Sequence, residues 1–278
     1  MRTGVVIRLM AAFILSAVCS YAAELNTIMM EATCKIQGPG SVGTGFIIGK
    51  PDTNTTGRAY YTLITANHVL EAVQGETAIL VLRQYHASNA WTRVDVPIRI
   101  RNGLVALWKK HPDVDVAGMF VGLPKDTVRN MLTTKDLIGD KELNEYEIYP
   151  GMELMCLGYP FGAEANPLGF PILRSGRIAS YPLTPTKVTK TFLFDFTVFR
   201  GNSGGPVYFM EKDPTYGGQR RIGTAVYGIA GIVVEERNIT QTIQELYEKR
   251  ETTTPLQLGS VIHASFIKEL VDSMGFPK

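Results

Sequence analysis

The chain has 278 residues, 45% of them hydrophobic and 19% charged, an ordinary balance for a globular protein with a large core. Its formal net charge is +2 and its basic residues are scattered, the longest run being Lys109-Lys110, so neither nucleic acid nor a membrane surface is expected as a partner. No pair of its three cysteines has the spacing of zinc ligands, and no metal or cofactor is expected.

In chain order, Arg2 and Arg8 come first, around and before an apolar run from Leu9 to Val18. Ser20-Tyr21-Ala22 then supplies small residues where a signal peptidase needs them. Residues 1–23 therefore read as a secretory signal peptide cut after Ala22 or Ala23. The run is short for a membrane span, which needs roughly 20 apolar residues. Cleavage removes Cys19 and leaves Cys34 and Cys156, which permit either one disulfide or two buried thiols.

After Glu24 most segments read as short strands broken by Gly, Pro, Asn and Asp. Examples are Gly45–Ile48, Tyr61–Thr65, Ala78–Arg83, Val94–Ile100, Val116–Val121, Met152–Leu157, Thr191–Phe196 and Val226–Val234. Many short strands with regular turn signals predict an all-β barrel or sandwich. Residues 123–147 are polar and charged and read as a connection. Two helices are predicted. Thr240–Arg250 carries an apolar stripe at Ile243 and Leu246. Ala264–Met274 places Phe266, Ile267, Leu270 and Val271 at helical spacing, with Gly275 after its end.

Three segments carry chemistry. Gly201-Asn202-Ser203-Gly204-Gly205-Pro206 sets a serine among three glycines, where bare backbone lets a substrate approach N–H groups closely. Serine is a poor nucleophile until a base takes its proton. Thr65-Ala66-Asn67-His68 offers an imidazole for that task, after an apolar stretch. Asp113-Val114-Asp115-Val116-Ala117 offers the carboxylate that would orient the imidazole, and either aspartate could face it from a strand.

At these residues the chain resembles the trypsin-like (chymotrypsin-fold) serine peptidases, and among them the Do-like peptidase domains that bacteria export. Gly43-Thr44-Gly45-Phe46-Ile47-Ile48 and Met155-Cys156-Leu157-Gly158-Tyr159-Pro160-Phe161-Gly162 add to the likeness, which runs from about Ala32 to about Met274 and leaves no segment for a PDZ domain. The resemblance implies two six-stranded antiparallel β-barrels, at about 25–122 and 148–262, joined by 123–147 and closed by a C-terminal helix over 264–274. It implies His68 as base, Asp115 as its orienting acid because Val116-Ala117 follows, Ser203 as nucleophile, and the N–H groups of Gly201 and Ser203 as an oxyanion hole. By the same likeness Thr197 and Val198 lie at the base of the primary specificity pocket and Ala230-Gly231-Ile232 along its wall. None is acidic, so an uncharged side chain is expected there. Arg200 would flank the hole. Asn202 stands where zymogen-activated relatives carry an aspartate, so activation by insertion of a new N-terminus is not expected.

The implied protein is a serine endopeptidase of the bacterial periplasm or extracellular space, acting on protein or peptide substrates without a cofactor. Two rivals remain. One is a peptidase fold that is silent or awaits a partner. The other is an α/β-hydrolase, whose serine elbow Gly201–Gly205 also fits and for which Asp213 and His263 would complete the triad.

Overall fold

The computed structural model describes residues 25–52, 59–86, 90–244 and 249–276, with only the backbone given between 239 and 253. The expected signal peptide lies outside these residues. A first helix, α1 (25–32), leads into nine strands: β1 Thr33–Gly38, β2 Ser41–Pro51, β3 Ala59–Thr65, β4 Thr77–His86, β5 Ala90–Arg99, β6 Arg101–Asn102, β7 Val105–Ala106, β8 Lys109–Lys110 and β9 Ala117–Phe120. A one-turn helix, α2 Asn67–Glu71, follows β3. The connection holds α3, Asp140–Glu145. The second half holds β10 Glu153–Gly158, β11 Ile172–Ile178, β12 Thr191–Asp195, β13 Pro206–Lys212, β14 Thr215–Tyr216, β15 Gln219–Arg220, β16 Ala225–Gln244 and β17 Lys249–His263, ending in α4 Ala264–Ser273.

The second half closes as expected. Six antiparallel strands run β10-β11-β12-β17-β16-β13 and return to the start. The first half does not match the six-stranded barrel that the sequence predicts. Its hydrogen bonds form a seven-stranded sheet in the order β5-β4-β1-β2-β3-β9-β8. Closing that sheet would require β8 to pair with β5, but β8 is two exposed lysines, too short a ladder for the task. Every pairing between the strands of the two large sheets is antiparallel, and this departs from the parallel sheet an α/β-hydrolase needs.

The helix predicted over Thr240–Arg250 is also replaced. Residues 240–244 and 249–250 continue β16 and β17 as a hairpin, with Ile239 opposite Thr254 and Thr240 opposite Thr253. The β-branched run Ile239, Thr240, Thr242, Ile243 against Thr252–Thr254 prefers a pleated backbone, and this outweighs the weak helical spacing.

Two apolar cores result. The first gathers Ile36, Phe46, Ile48, Leu63 and Ile64 and is covered by Phe266, Ile267, Leu270 and Val271 of α4. The Lys50 ammonium donates to the Val271 carbonyl at 2.7 Å, satisfying one acceptor at the end of α4. The second core gathers Leu154, Phe192, Phe194, Val207 and Phe209 inside the closed barrel. Cys34 lies in the first core and Cys156 in the second. Both are free thiols, and burial pushes each up to about 12.

A buried guanidinium joins the halves. Arg83 on β4 donates to the carbonyls of Met30, Glu31 and Thr33 at 2.6–2.8 Å, and to the Gly169 carbonyl and Tyr159 hydroxyl at 3.1 and 3.2 Å. Three of these acceptors lie at the end of α1 and the start of β1; the other two belong to the second half. Hydrogen bonds of this number are what make a buried cation tolerable.

Candidate active site

His68 sits in α2, immediately after β3. Ala66 in extended conformation (φ −71°, ψ 138°) turns the chain from strand to helix, and buried Val69 and Leu70 fix the helix on the first core. The Asn67 side chain accepts from the Trp108 indole at 2.9 Å, which ties α2 to the segment leading to Asp115. The Asp115 carboxylate then makes two contacts with one residue. Its Oδ1 accepts the His68 backbone N–H at 3.0 Å, and its Oδ2 lies 2.5 Å from His68 Nδ1. One carboxylate thus fixes both the position of the residue and the orientation of its ring.

The electrostatics follow from this contact. The hydrogen bond to Asp115 raises the His68 pKa above 6.5. Burial opposes the rise, and the charges of Asp115, Glu235 and Glu71 add to it. For Asp115, burial pushes upward, but the His68 hydrogen bond and charge and the backbone N–H groups of His68 and Asn67 outweigh it, so its carboxyl lies below the usual range. Asp113 does not pair with His68. It lines the adjoining cleft, a cavity of about 490 Å³ shared with His68, Lys190, Val234, Glu235 and Ser260.

Ser203 comes from the loop before β13. Its hydroxyl donates to the Val234 carbonyl at 3.2 Å, and Val234 lines the same cleft as His68. That carbonyl is available because β16 is bulged. Val233 faces Val261 and Glu235 faces Ser260, which leaves Val234 outside the ladder. Val233 holds the loop itself: Gly204 N–H donates to the Val233 carbonyl at 2.7 Å, and Val233 N–H to the Gly205 carbonyl at 3.0 Å.

The peptide before Gly201 is turned in a defined sense. Phe161 N–H donates to the Arg200 carbonyl at 2.6 Å. A trans peptide points its N–H opposite to its C=O, so the Gly201 N–H faces away from Phe161. Among the described residues, no carbonyl takes the N–H of Gly201 or of Ser203. Gly201 has φ +98°, and a Cβ there would lie 2.1 Å from the Tyr159 carbonyl oxygen, so only glycine fits.

The remaining sequence candidates are spread more widely. Val198 is buried in the second core, and the Thr197 carbonyl accepts from Arg174 at 2.8 Å. The Arg174 guanidinium covers the Phe196 ring at 4.2 Å, which puts a cation beside this segment. Gly231 and Ile232 sit inside the barrel ladder, opposite His263 and Ile262, and Ala230 is buried at a second bulge of β16, between Ile229 and Gly231, while Val234 and Glu235 line the cleft. Arg200 reaches the Gly40 carbonyl at 3.4 Å from the surface. Asp213 accepts from the Gly223 N–H at 2.6 Å in a turn, and His263 is buried before α4 against the Phe192 ring. Asn202 is buried, with its side-chain nitrogen unpartnered among the described residues. Sequence reasoning passes over Val234, Glu235 and Lys190, because a bulge leaves no mark in residue type.

No family model matches the chain, and no curated protein matches it by sequence. Among solved structures the chain is similar to Rv3671c of M. tuberculosis in an inactive serine-to-alanine mutant form, with 16% identity over 90% of this chain and 91% of that one and a TM-score of 0.44. It is also similar to the inactive form of Rv3671c protease, with 18% identity over 89% and 91% of the two chains and a TM-score of 0.42. Among the described residues, no helix is long and apolar enough to cross a membrane.

Proposed function

We propose that the protein is an exported, trypsin-like serine endopeptidase that hydrolyses peptide bonds through an acyl-enzyme. The observation that carries this reading is the Asp115–His68 contact at 2.5 Å, with the Ser203 hydroxyl bonded to Val234, which lines the same cleft as His68. At rest the Ser203 hydroxyl is engaged by Val234. Rotation about its Cα–Cβ bond gives the proton to His68 Nε2 as Oγ adds to the substrate carbonyl. The oxyanion that forms accepts from the N–H groups of Gly201 and Ser203. His68 then protonates the leaving amine, and a water molecule repeats the sequence on the ester. Asp115 holds the ring with Nδ1 as donor and stabilises the imidazolium without taking the proton.

An uncharged side chain suits the primary pocket. No acid is among the residues expected there, and Arg174 at Thr197 disfavours a second cation. The resting bond from Ser203 to Val234 also favours a form of this reading in which a partner or substrate completes the site.

A fluorophosphonate probe tests the proposal. Mature protein is expected to be labelled, while Ser203→Ala and His68→Ala lose the label. Mapping of cut sites in a peptide library is expected to find uncharged residues before the scissile bond. Folded wild type that stays unlabelled with and without protein substrates overturns the peptidase reading. Cleavage mainly after Lys or Arg overturns the specificity.

A further inference from the structure

The Ser203 loop belongs to the second half of the molecule, yet its shape is set from the first. Thr44, fully buried on β2, makes three hydrogen bonds across the boundary. Its N–H donates to the Ser203 carbonyl at 2.9 Å, its hydroxyl donates to the Gly201 carbonyl at 2.6 Å, and the same hydroxyl accepts from the Tyr159 N–H at 3.2 Å. We propose that Thr44 is a positioning residue whose hydroxyl and N–H hold the loop so that the Gly201 and Ser203 N–H groups converge on one point. The proposal rests on the peptidase reading and deepens it.

The geometry is over-determined around Gly201. The peptide before it is held by Phe161 N–H on the Arg200 carbonyl, and the peptide after it by the Thr44 hydroxyl on the Gly201 carbonyl. The Gly201 N–H lies in the first of these planes, and the second, joined to it through the glycine's φ and ψ, restrains the first from turning. A hydroxyl donates to one backbone and accepts from another through a single atom, whereas a methyl does neither and a carboxylate cannot donate.

The same residue reaches toward the base. The Thr44 carbonyl accepts from the Thr65 hydroxyl at 2.7 Å, and Thr65 ends the strand that delivers His68. Gly204 is pressed against this pair. A Cβ there would lie 2.1 Å from the Thr44 carbonyl oxygen and 2.3 Å from Thr65 Oγ1. One chain of hydrogen bonds thus connects the end of β3, β2 and the serine loop, so imidazole and alcohol are placed relative to each other through Thr44.

Thr44→Val keeps the branched shape and the backbone N–H and removes the hydroxyl. Labelling rates with the fluorophosphonate probe, and kcat and KM on a peptide found by cut-site mapping, are measured per folded molecule by near-ultraviolet circular dichroism. The expected result is a fall of about 10- to 100-fold in kcat and labelling rate with KM within about twofold, since a small misplacement of reacting groups costs on this scale. Thr44→Ser is expected to restore kcat to within about threefold. If Thr44→Val does not fold, Thr44→Ala, which adds no bulk, carries the same measurement. An active wild type whose hydroxyl-free variants keep full kcat per folded molecule, or whose Thr44→Ser variant is no better than Thr44→Val, overturns this proposal alone. A wild type inert to probe and peptide overturns the peptidase reading and this proposal together.

Discussion

His68 lies between two negative charges with different duties. Asp115 grips the ring, while Glu235 views it across the cleft and adds to the rise in its pKa. A general base must be neutral, so activity falls as pH drops through that raised value. The acid limb of kcat/KM is therefore expected above the 6.5 of an ordinary histidine. Glu235→Gln removes one charge that favours the imidazolium, and its limb is expected to move down toward 6.5. A limb that stays put or moves up in the variant removes Glu235 from the electrostatics of the site. The three candidate side chains stand out in the sequence because each sits in a run whose residue types answer a chemical need, as the glycines do around Ser203, and of these the structure joins His68 and Asp115 directly. Asp113 and Asp115 were not separable by type or alternation; only the turn into α2 puts the His68 N–H and ring on the same carboxylate.

At the scale of elements, the strands with clean apolar alternation or buried runs, such as β2, β3, β4 and β12, were readable because one or both of their faces meet a core. Strands β11 and β17 carry a weaker signal. β11 alternates half-buried and exposed positions along a polar sequence with Arg174, Ser175 and Arg177, and β17 contains Pro255 and threonines whose pairing comes from β16. α4 was readable from its spacing, and its apolar face does what that spacing implies. Leu270 is buried on the first core. Leu270→Ala is expected to cost about 2–5 kcal/mol, the usual range for a buried leucine truncation. A urea midpoint unchanged from wild type would mean that α4 adds nothing to the first core. Labelling of Ser203 in the folded variant should persist, since α4 touches none of the reacting groups.

The whole molecule behaves as a joined pair of sheets. The ladder that fails to close in the first half was beyond sequence reasoning, because closure depends on which edges meet and not on any strand's own residues. The joint carries a pH signature at His263, where strand β17 meets α4. Burial lowers its pKa to about 4, with the Asp140 charge opposing, and its Nε2 has no partner among the described residues. An unfolded chain binds a proton there below 6.5, and the folded one does not until about 4. Stability from this group is therefore complete above pH 6.5 and is lost as pH falls toward 4, by roughly 3 kcal/mol over the interval. Urea melts from pH 7 to 4 are expected to show a shallower loss for His263→Gln than for the wild type, and parallel curves would remove His263 as the cause.

The two thiols have a practical bearing. Each is sealed in a different core, so in the native protein neither can meet the other, and neither ionises at ordinary pH. Oxidants and thiol reagents should leave these two thiols of the folded chain untouched, with neither Cys34 nor Cys156 titrated by Ellman's reagent until denaturant is added. The hazard falls on newly made or refolding chains, in which both sulfurs are open to air and to neighbouring copies. A reducing agent should therefore raise the yield of renaturation while making no difference to shelf life.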